Sequence, residues 1–541
     1  MSKIVKSTVL LFTMLTMASC SFNTTTEEKK DNKKEETPVD LTVKDSDIKP
    51  GYTRYDIKSP LERKTEGLGA QFDTCILDPN NSNITDWEVI SNAVKTSNLQ
   101  AVRIRFYPEM YERGNDDNDP NSFDYSSNNV DFNSLEMQHL YKLLDLMEEN
   151  HVNVDLSWYG CRTTFESEDG KVHGSWLGGT YGVGGINGWM APPSSKYCPN
   201  PEAEFSESVA ACLNYLINVK KYTCLYEYSI FPEPEGVITD MTMYGTIAKM
   251  IKTNLAKYNL TGKILFSGPA DYGNNYNNLK TKYLDKDYGY DKVDSSVYAF
   301  HGEMTVNGGK QEPSSNESML EFAKGHVKVC DDYGTSWGVA ESGTSNFLTA
   351  VTNADTEVYD RAITMTRFFI NLTNAGCTNI KYFIFSDCSY DGTTNKEGLF
   401  RFAKSYYSDS AIDYQAKPIW YAWSLLMRYS DIGSTIYPVT DSYEGDADKD
   451  VCITSLKLPD GSWSYFMANL SSNTKKVALA NEFEGRPNSM SCFRLTAAST
   501  PSGSDATLKI IDKQEGDIDT SKGIAHVSIP ANGIIVLSNK K

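Results

Sequence analysis

What the 541-residue sequence lacks narrows it first. None of its 11 cysteines stands in a C-x-x-C pair, and no His-Glu-x-x-His, EF-hand or P-loop pattern occurs. Zinc-ribbon, thioredoxin-like and nucleotide-cradling chemistry therefore lose their sequence support. Past the N-terminus no stretch approaches the ~20 apolar residues that a membrane span needs. A concentrated basic surface is missing too: the net charge is −19, which argues against a nucleic-acid partner, because phosphate binding needs clustered Lys and Arg.

What is present begins with an export signature. Lys3 and Lys6 precede the apolar run Val9 to Met17, and the small residues Ala18-Ser19 lead into Cys20. A charged region, a short apolar core and a small-residue cleavage site make a secretory signal. The cysteine directly after them resembles a bacterial lipobox, which implies cleavage before Cys20 and a lipid on its sulfur. The alternative is an ordinary signal peptide with an incidental cysteine. On the lipobox reading the protein is lipid-anchored at the bacterial cell envelope, on the outer membrane or cell surface. Residues 1–20 are then the signal and anchor, and residues 21–45, rich in Thr, Glu, Lys and Asp, are a disordered tether. In an exported chain disulfides can form, but ten dispersed cysteines look more like small buried residues than a framework.

From about residue 66, apolar strand candidates alternate with helical patterns. The strands read Gly67 to Leu77, Ala101 to Tyr107, Val152 to Tyr159, Cys224 to Phe231, Ile264 to Ser267, Val297 to His301, Trp337 to Ala340 and Ile380 to Phe385. The helices read Ile84 to Ser97, Ser134 to Glu149, Phe205 to Lys220, Met241 to Tyr258, Tyr276 to Leu284, Ser318 to Asp332, Thr356 to Ala375 and Pro418 to Tyr429. Eight strands each followed by a helix predict an α/β fold, a (β/α)8 TIM barrel over residues 46–431, with an open doubly wound sheet as the rival. After residue 431 the helical patterns stop. Alternating segments from Val451 to Leu537, joined by Gly, Asp and Asn turns, predict a small all-β sandwich over residues 432–541.

Parity within the strands adds a test. Val102, Ile104 and Phe106 oppose Arg103 and Arg105, and Val154, Leu156 and Trp158 oppose Asn153, Asp155 and Ser157. Fully buried parallel strands are usually apolar throughout. The polar side chains must share the barrel lumen, where an arginine needs an anionic partner. The same parity groups Glu233 with Glu227, Ser229 and Phe231 and predicts that it points inward.

Two strands end in acid. Trp337-Gly338-Val339-Ala340 runs into Glu341-Ser342-Gly343, and Tyr228-Ser229-Ile230-Phe231 runs into Pro232-Glu233-Pro234-Glu235. Ending strands seven and four, Glu341 and Glu233 fall on the face where barrels of this kind place their chemistry. A pair of carboxylates suits glycosidic-bond hydrolysis, which needs no metal or cofactor: one protonates the leaving oxygen and the other attacks or activates water. Glu235 is the reserve acid. The long segment after strand three, Cys161 to about Glu204, carries Trp176, Trp189 and the run Gly178 to Gly185. Its length marks a lid or binding loop, and Trp158, Trp176 and Trp189 are candidate platforms for a sugar, against the plainer reading that aromatics pack a core. A phosphate cradle at the glycines fails for lack of a following Lys-Ser/Thr. Gly334-Thr335-Ser336-Trp337-Gly338 matches an esterase elbow on paper, but its strand follows the serine where an elbow needs it before.

On these residues the chain resembles the clan A retaining glycoside hydrolases, whose acid/base glutamate follows strand four in a Trp-Asn-Glu-Pro-like motif and whose nucleophile follows strand seven. Phe231-Pro232-Glu233-Pro234 and Ala340-Glu341-Ser342-Gly343 stand in those places, and Lys417-Pro418 with Tyr421-Ala422-Trp423 looks like the lead into the last helix. The resemblance implies Glu341 as nucleophile and Glu233 as acid/base in a double displacement on a carbohydrate substrate, a polysaccharide or oligosaccharide of β-linked type. It implies that Arg103 holds the nucleophile ionised, with Arg105 as its possible substitute, and that His301 contacts the nucleophile, where a buried core histidine is the plain alternative. One departure stands out: Pro232 occupies the place of the usual asparagine. A lipoprotein that only binds glycans on an inactive barrel is the competing expectation.

Overall fold

The computed structural model describes residues 40–72, 87–161, 164–166, 172–174, 198, 200–234, 241–272, 275–298, 315–343, 359–390, 393–395, 397–401, 414–441, 448–502, 508–511 and 516–541. Eight parallel strands close into a barrel: β1 (Gly67–Phe72), β2 (Ala101–Phe106), β3 (Asn153–Trp158), β4 (Leu225–Ile230), β5 (Leu265–Tyr272), β6 (Lys292–Tyr298), β7 (Trp337–Gly343) and β8 (Asn379–Tyr382). Helices follow them: α1 (Trp87–Ser97), α2 (Leu135–Glu149), α3 (Pro201–Asn214), α4 (Met241–Lys257), α5 (Tyr276–Asn278, continued as a wide turn to Tyr283), α6 (Asn316–Asp332), α7 (Tyr359–Ala375) and α8 (Pro418–Arg428). This is the (β/α)8 barrel that the alternation predicts. The expected signal and lipid-bearing Cys20 lie outside the described residues, and no helix among those described is long and apolar enough to cross a membrane.

The strands alternate as parity requires. Val102, Ile104 and Phe106 join the apolar layer under the helices, whereas Arg103 and Arg105 are buried on the opposite side. Register then builds layers across the lumen: Gln71 lies opposite Arg103, Arg103 opposite Asp155, and Asp155 opposite Glu227. Three strands break the alternation with one extra residue. Val154 and Asp155 face Leu225 and Glu227, which leaves Tyr226 bulged from β4. Pro269 and Asp271 face Asp294 and Ser295, which leaves Ala270 bulged from β5. Val339 and Glu341 face Ser295 and Ser296, which leaves Ala340 bulged from β7. Such bulges re-aim the next side chain.

Strand β6 starts at Lys292, five residues before the predicted Val297. From Lys292 to Ser296 only Val293 is apolar, and Lys292 makes its ion pair with Glu227 in the lumen, so the stretch carries little apolar signal. The alternation in β4 ends at Ile230. Phe231 has φ +46° and stacks on Phe205 of α3 with ring centroids 5.1 Å apart, so it packs under the helices and does not share the inward face of Ser229. The thiols of Cys161, Cys198, Cys212, Cys224, Cys330, Cys377 and Cys452 are buried and form no disulfide framework.

After α8 the chain forms a six-stranded sheet from β9 (Thr435–Val439), β10 (Val451–Lys457), β11 (Trp463–Asn469), β13 (Ser489–Leu495), β14 (Ile518–Asp519) and β16 (Gly533–Ser538); β12 (Lys475–Ala480) and β15 (Ile524–Ile529) belong to a second sheet. That second sheet gains its third strand from the other end of the chain: Thr53–Asp56, counted with the barrel above, pairs in parallel with Val477–Ala480. Within the segment expected as a tether up to residue 45, Val43 is buried against Ala478, Ala480 and Ile524. Within the predicted alternating run, the described residues 508–511 form no strand.

The large sheet is buried on both faces. In β16, Ile535 and Leu537 meet Tyr55, Val477 and Val527 across the sandwich, while Ile534 and Val536 join the core of the barrel. Phe466 of β11 meets Phe369 of α7 edge-on at 5.1 Å. Phe466→Ala is expected to cost about 3–5 kcal/mol, as for a buried Phe truncation, and wild type should melt in one transition seen by both near- and far-UV circular dichroism; two separated transitions would show that barrel and sandwich unfold independently.

Candidate active site

The site is assembled at the end of the barrel where the strands terminate. The bulge at Ala340 decides where its acid goes. Trp337 lies flat on His326 of α6 at 4.8 Å and Val339 is fully buried in the apolar layer, so unbroken alternation would send Glu341 to the helix side. The extra residue turns it instead toward Arg103, whose Nη1 donates to Glu341 Oε1 at 2.9 Å. Arg103 is fully buried and Glu341 is 5% exposed. A guanidinium placed so close in a dry site makes a charge-assisted hydrogen bond to the carboxylate.

A second group reaches the same oxygen. The Tyr159 hydroxyl, from the residue just after β3, contacts Glu341 Oε1 and lies 3.0 Å from Gln71 Oε1 of β1. Having one proton, it donates to one of the two at a time. Burial pushes the Tyr159 hydroxyl pKa far above its ordinary value, so it stays a donor. Neither Tyr159 nor Gln71 stands out in the sequence, and only the rule that strand ends carry the chemistry points to them.

Arg105 takes another job. Its Nε and Nη2 donate to the Tyr107 hydroxyl at 2.8 and 2.5 Å, and its guanidinium lies over the Tyr159 ring at 4.6 Å. It therefore braces Tyr159 while Arg103 holds the ion pair. Trp158, expected as a sugar platform, is a core residue: it shares the face of Val154 and Leu156, is fully buried and meets Phe106 edge-on at 5.5 Å. Trp176, Trp189, Glu235 and His301 lie outside the described residues.

Glu233 sits half-buried beyond the end of β4 with φ +52°. Its backbone N–H donates to the carbonyl of Ala270, the bulged residue of β5, at 2.9 Å. Ala270 is fixed in turn by its own N–H, which donates to Asp294 Oδ1 of β6 at 2.8 Å. The position of Glu233 is thus set by β5 and β6, and strand parity does not reach it. Burial raises the Asp294 carboxyl to about 6 against the opposing pull of Arg103.

Beneath these groups the lumen is filled by ion pairs. Lys292 Nζ lies 2.5 Å from both Glu227 Oε1 and Glu66 Oε2, and Lys381 Nζ lies 3.2 Å from Glu227 Oε2 and 3.4 Å from Asp155 Oδ2. Arg103 Nε approaches Asp155 at 3.4 Å. Asp155, Glu227 and Asp294 come close enough to one another to ligate a metal. The two ammonium groups and the guanidinium already supply the counter-charge there, so the set does not fit a cation. Glu227 is held down at about 2; burial opposes ionisation, and the two lysines outweigh it.

No protein-family model matches the chain, and no curated protein matches it by sequence. Solved structures do match. A family 30 subfamily 8 glycoside hydrolase, the xylanase Xyn30A from Clostridium acetobutylicum, superposes with a TM-score of 0.56 at 11% identity over 90% of this chain and 98% of that one. The fold is shared with glycoside hydrolases. The endo-β1,6-glucanase BT3312 gives 0.53 at 11% over 91% and 95%, and a conserved exported protein from Bacteroides fragilis gives 0.61 at 8% over 90% and 100%. Coverage of nearly the whole of each neighbour extends the likeness from the barrel into the β-domain.

Glu227→Gln should leave the lumen lysines under-compensated and lower stability by about 3–5 kcal/mol at pH 7, read by urea denaturation. Because the folded state holds Glu227 below its usual 4.5, its contribution is complete above pH 4.5 and lost as pH falls toward about 2. The gap between wild type and variant should narrow over that window; a gap constant from pH 7 to 3 would refute the assignment.

Proposed function

We propose that the protein is a retaining glycoside hydrolase acting on a β-linked polysaccharide or oligosaccharide, with Glu341 as nucleophile and Glu233 as acid/base. The observation that carries this reading is the buried ion pair of Glu341 with Arg103, reinforced by the Tyr159 hydroxyl on the same oxygen. A carboxylate fixed at a strand end by a guanidinium is suited to attack an anomeric carbon. Glu233 gives its proton to the leaving oxygen as the C–O bond breaks and Glu341 forms the glycosyl ester. A water molecule then attacks the anomeric carbon, gives its proton to Glu233 and releases the Glu341 carboxylate as the C–O bond to it breaks. Oε1 of Glu341 is engaged by Arg103 and Tyr159, which favours Oε2 as the attacking atom. As negative charge leaves Glu341 on esterification, Tyr159 is free to turn its proton toward Gln71 or the sugar ring oxygen.

Retention requires carboxyl groups about 5–5.5 Å apart. Pro232 removes the asparagine side chain that would hold the sugar 2-hydroxyl, which is the support for the competing reading, a glycan-binding protein without turnover. The fold neighbours include a xylanase and an endo-β1,6-glucanase, so xylan and β-1,6-glucan head the substrate panel. The N-terminal sequence supports export and attachment to the cell envelope through a lipid on Cys20.

The deciding experiment is reducing-sugar release from a polysaccharide panel by wild type, Glu341→Gln and Glu233→Gln. Both variants should lose release while keeping substrate binding; binding without release by wild type across the panel favours the non-catalytic reading. On an active substrate, proton NMR of the first product should show the anomeric configuration of the cleaved bond, and inversion would refute the double displacement. Tyr159→Phe should lower kcat roughly 10–100-fold with little change in KM, the cost of one hydrogen bond to a charged group.

A further inference from the structure

At the rim of the barrel, away from the lumen, the loop after β2 and the start of α3 bring three acids together. Glu204 and Glu207 lie one turn apart on α3 and are 1% and 3% exposed, and Asp116 projects from the loop Gly114-Asn115-Asp116-Asp117-Asn118-Asp119. One oxygen from each carboxylate lies within 4.8 Å of the others. Asp116 Oδ1, Glu204 Oε2 and Glu207 Oε1 are all buried and have no hydrogen-bond partner among the described residues. The remaining groups here are already used. Asp116 Oδ2 accepts from the Asp124 N–H at 2.5 Å, the Asn115 side-chain oxygen accepts from the Asn118 N–H at 2.5 Å, and Lys257, the cation that acts on Glu207, points its ammonium at the Asn121 carbonyl at 3.3 Å.

Asn115 hydrogen-bonds to the Glu204 side chain, yet each of these converging acids keeps one buried oxygen without a partner, an arrangement that costs several kcal/mol unless something positive sits between them. The lumen solves the same problem with lysines and an arginine; here no ion pair to any of the three acids occurs among the described residues.

We propose that Asp116, Glu204 and Glu207 form a structural site for a hard divalent cation, calcium in first place. The donors are all oxygen, which excludes soft-metal preference, and three carboxylates without a fixed octahedral frame suit the larger, more adaptable calcium shell over that of magnesium. Bound there, the ion ties the loop after β2 to the helix that ends the long segment after β3, and so fixes two walls on the face that carries Glu341. The inference is independent of the proposed hydrolase activity.

The test is calorimetric titration of calcium chloride into chelator-treated full-length protein, with magnesium chloride as the comparison, together with the melting temperature in each. Wild type should bind close to one calcium per chain and melt a few degrees higher with it, as a ligand specific for the folded state requires. Glu204→Gln and Glu207→Gln should lose both effects. Asp116→Asn, on the loop and half-exposed, should weaken binding at least tenfold while keeping the wild-type circular dichroism spectrum, which guards against loss through misfolding. Absence of calcium heat and of any melting shift in wild type would overturn the proposal, as would calcium binding that all three variants retain.

Discussion

A guanidinium buried in the axis of the barrel is the constraint on which the rest depends. Arg103 is fully enclosed, so its charge must be met within the protein. It meets Glu341 above and Asp155 beside it, and Asp155 leads through Lys381 to Glu227 and Lys292. Each member is compensated by the next, which allows strands with alternating charge to close on one another where parallel strands are ordinarily apolar on both faces. The ion pair therefore serves folding and chemistry together: the charge that makes Arg103 tolerable inside the barrel is the carboxylate available at its mouth.

The two acids are positioned by different means. Glu341 is placed from below, by a bulge that turns it and a cation that holds it. Glu233 is placed from the side, through the Ala270 carbonyl that Asp294 orients by its hold on the Ala270 N–H. The two routes share the lumen, since Asp294 also feels the charge of Arg103. A change in lumen charge is thereby coupled to both ends of the pair, although no lumen residue below the strand ends needs to touch a ligand.

Much of this was legible in the sequence. Alternation of strand and helix patterns predicts eight barrel strands, the sixth overlapping the observed one only at Val297 and Tyr298, and the polar parity of Arg103, Asp155, Ser157, Glu227 and Ser229 points to the lumen. What escaped did so for physical reasons. Lys292 to Ser296 were unrecognised as strand because Val293 is the only apolar residue among them. The bulges at Tyr226, Ala270 and Ala340 leave no mark in composition, so parity misdirected Phe231 and could not say which way Glu341 turned. Trp158 reads as a platform by residue type alone, although its own strand puts it with Val154 and Leu156, under the helices. Tyr159 went unnoticed because a tyrosine after a strand is common among 33 of them. Thr53–Asp56 pairs across more than 400 positions with Val477–Ala480, a contact no local pattern encodes.

The six-stranded sheet has one consequence beyond the packing it provides. Its residues are counted out alternately to two cores, so it has no outer face of its own and is in effect the barrel's ninth wall. A chain cut near residue 431 would leave α7 and α8 with an uncovered apolar flank, and the detached β-domain would lack the strand that begins at Thr53. The two architectures are therefore not interchangeable modules: gene shuffling could exchange the loops above the strands, but neither half can be inherited without the other.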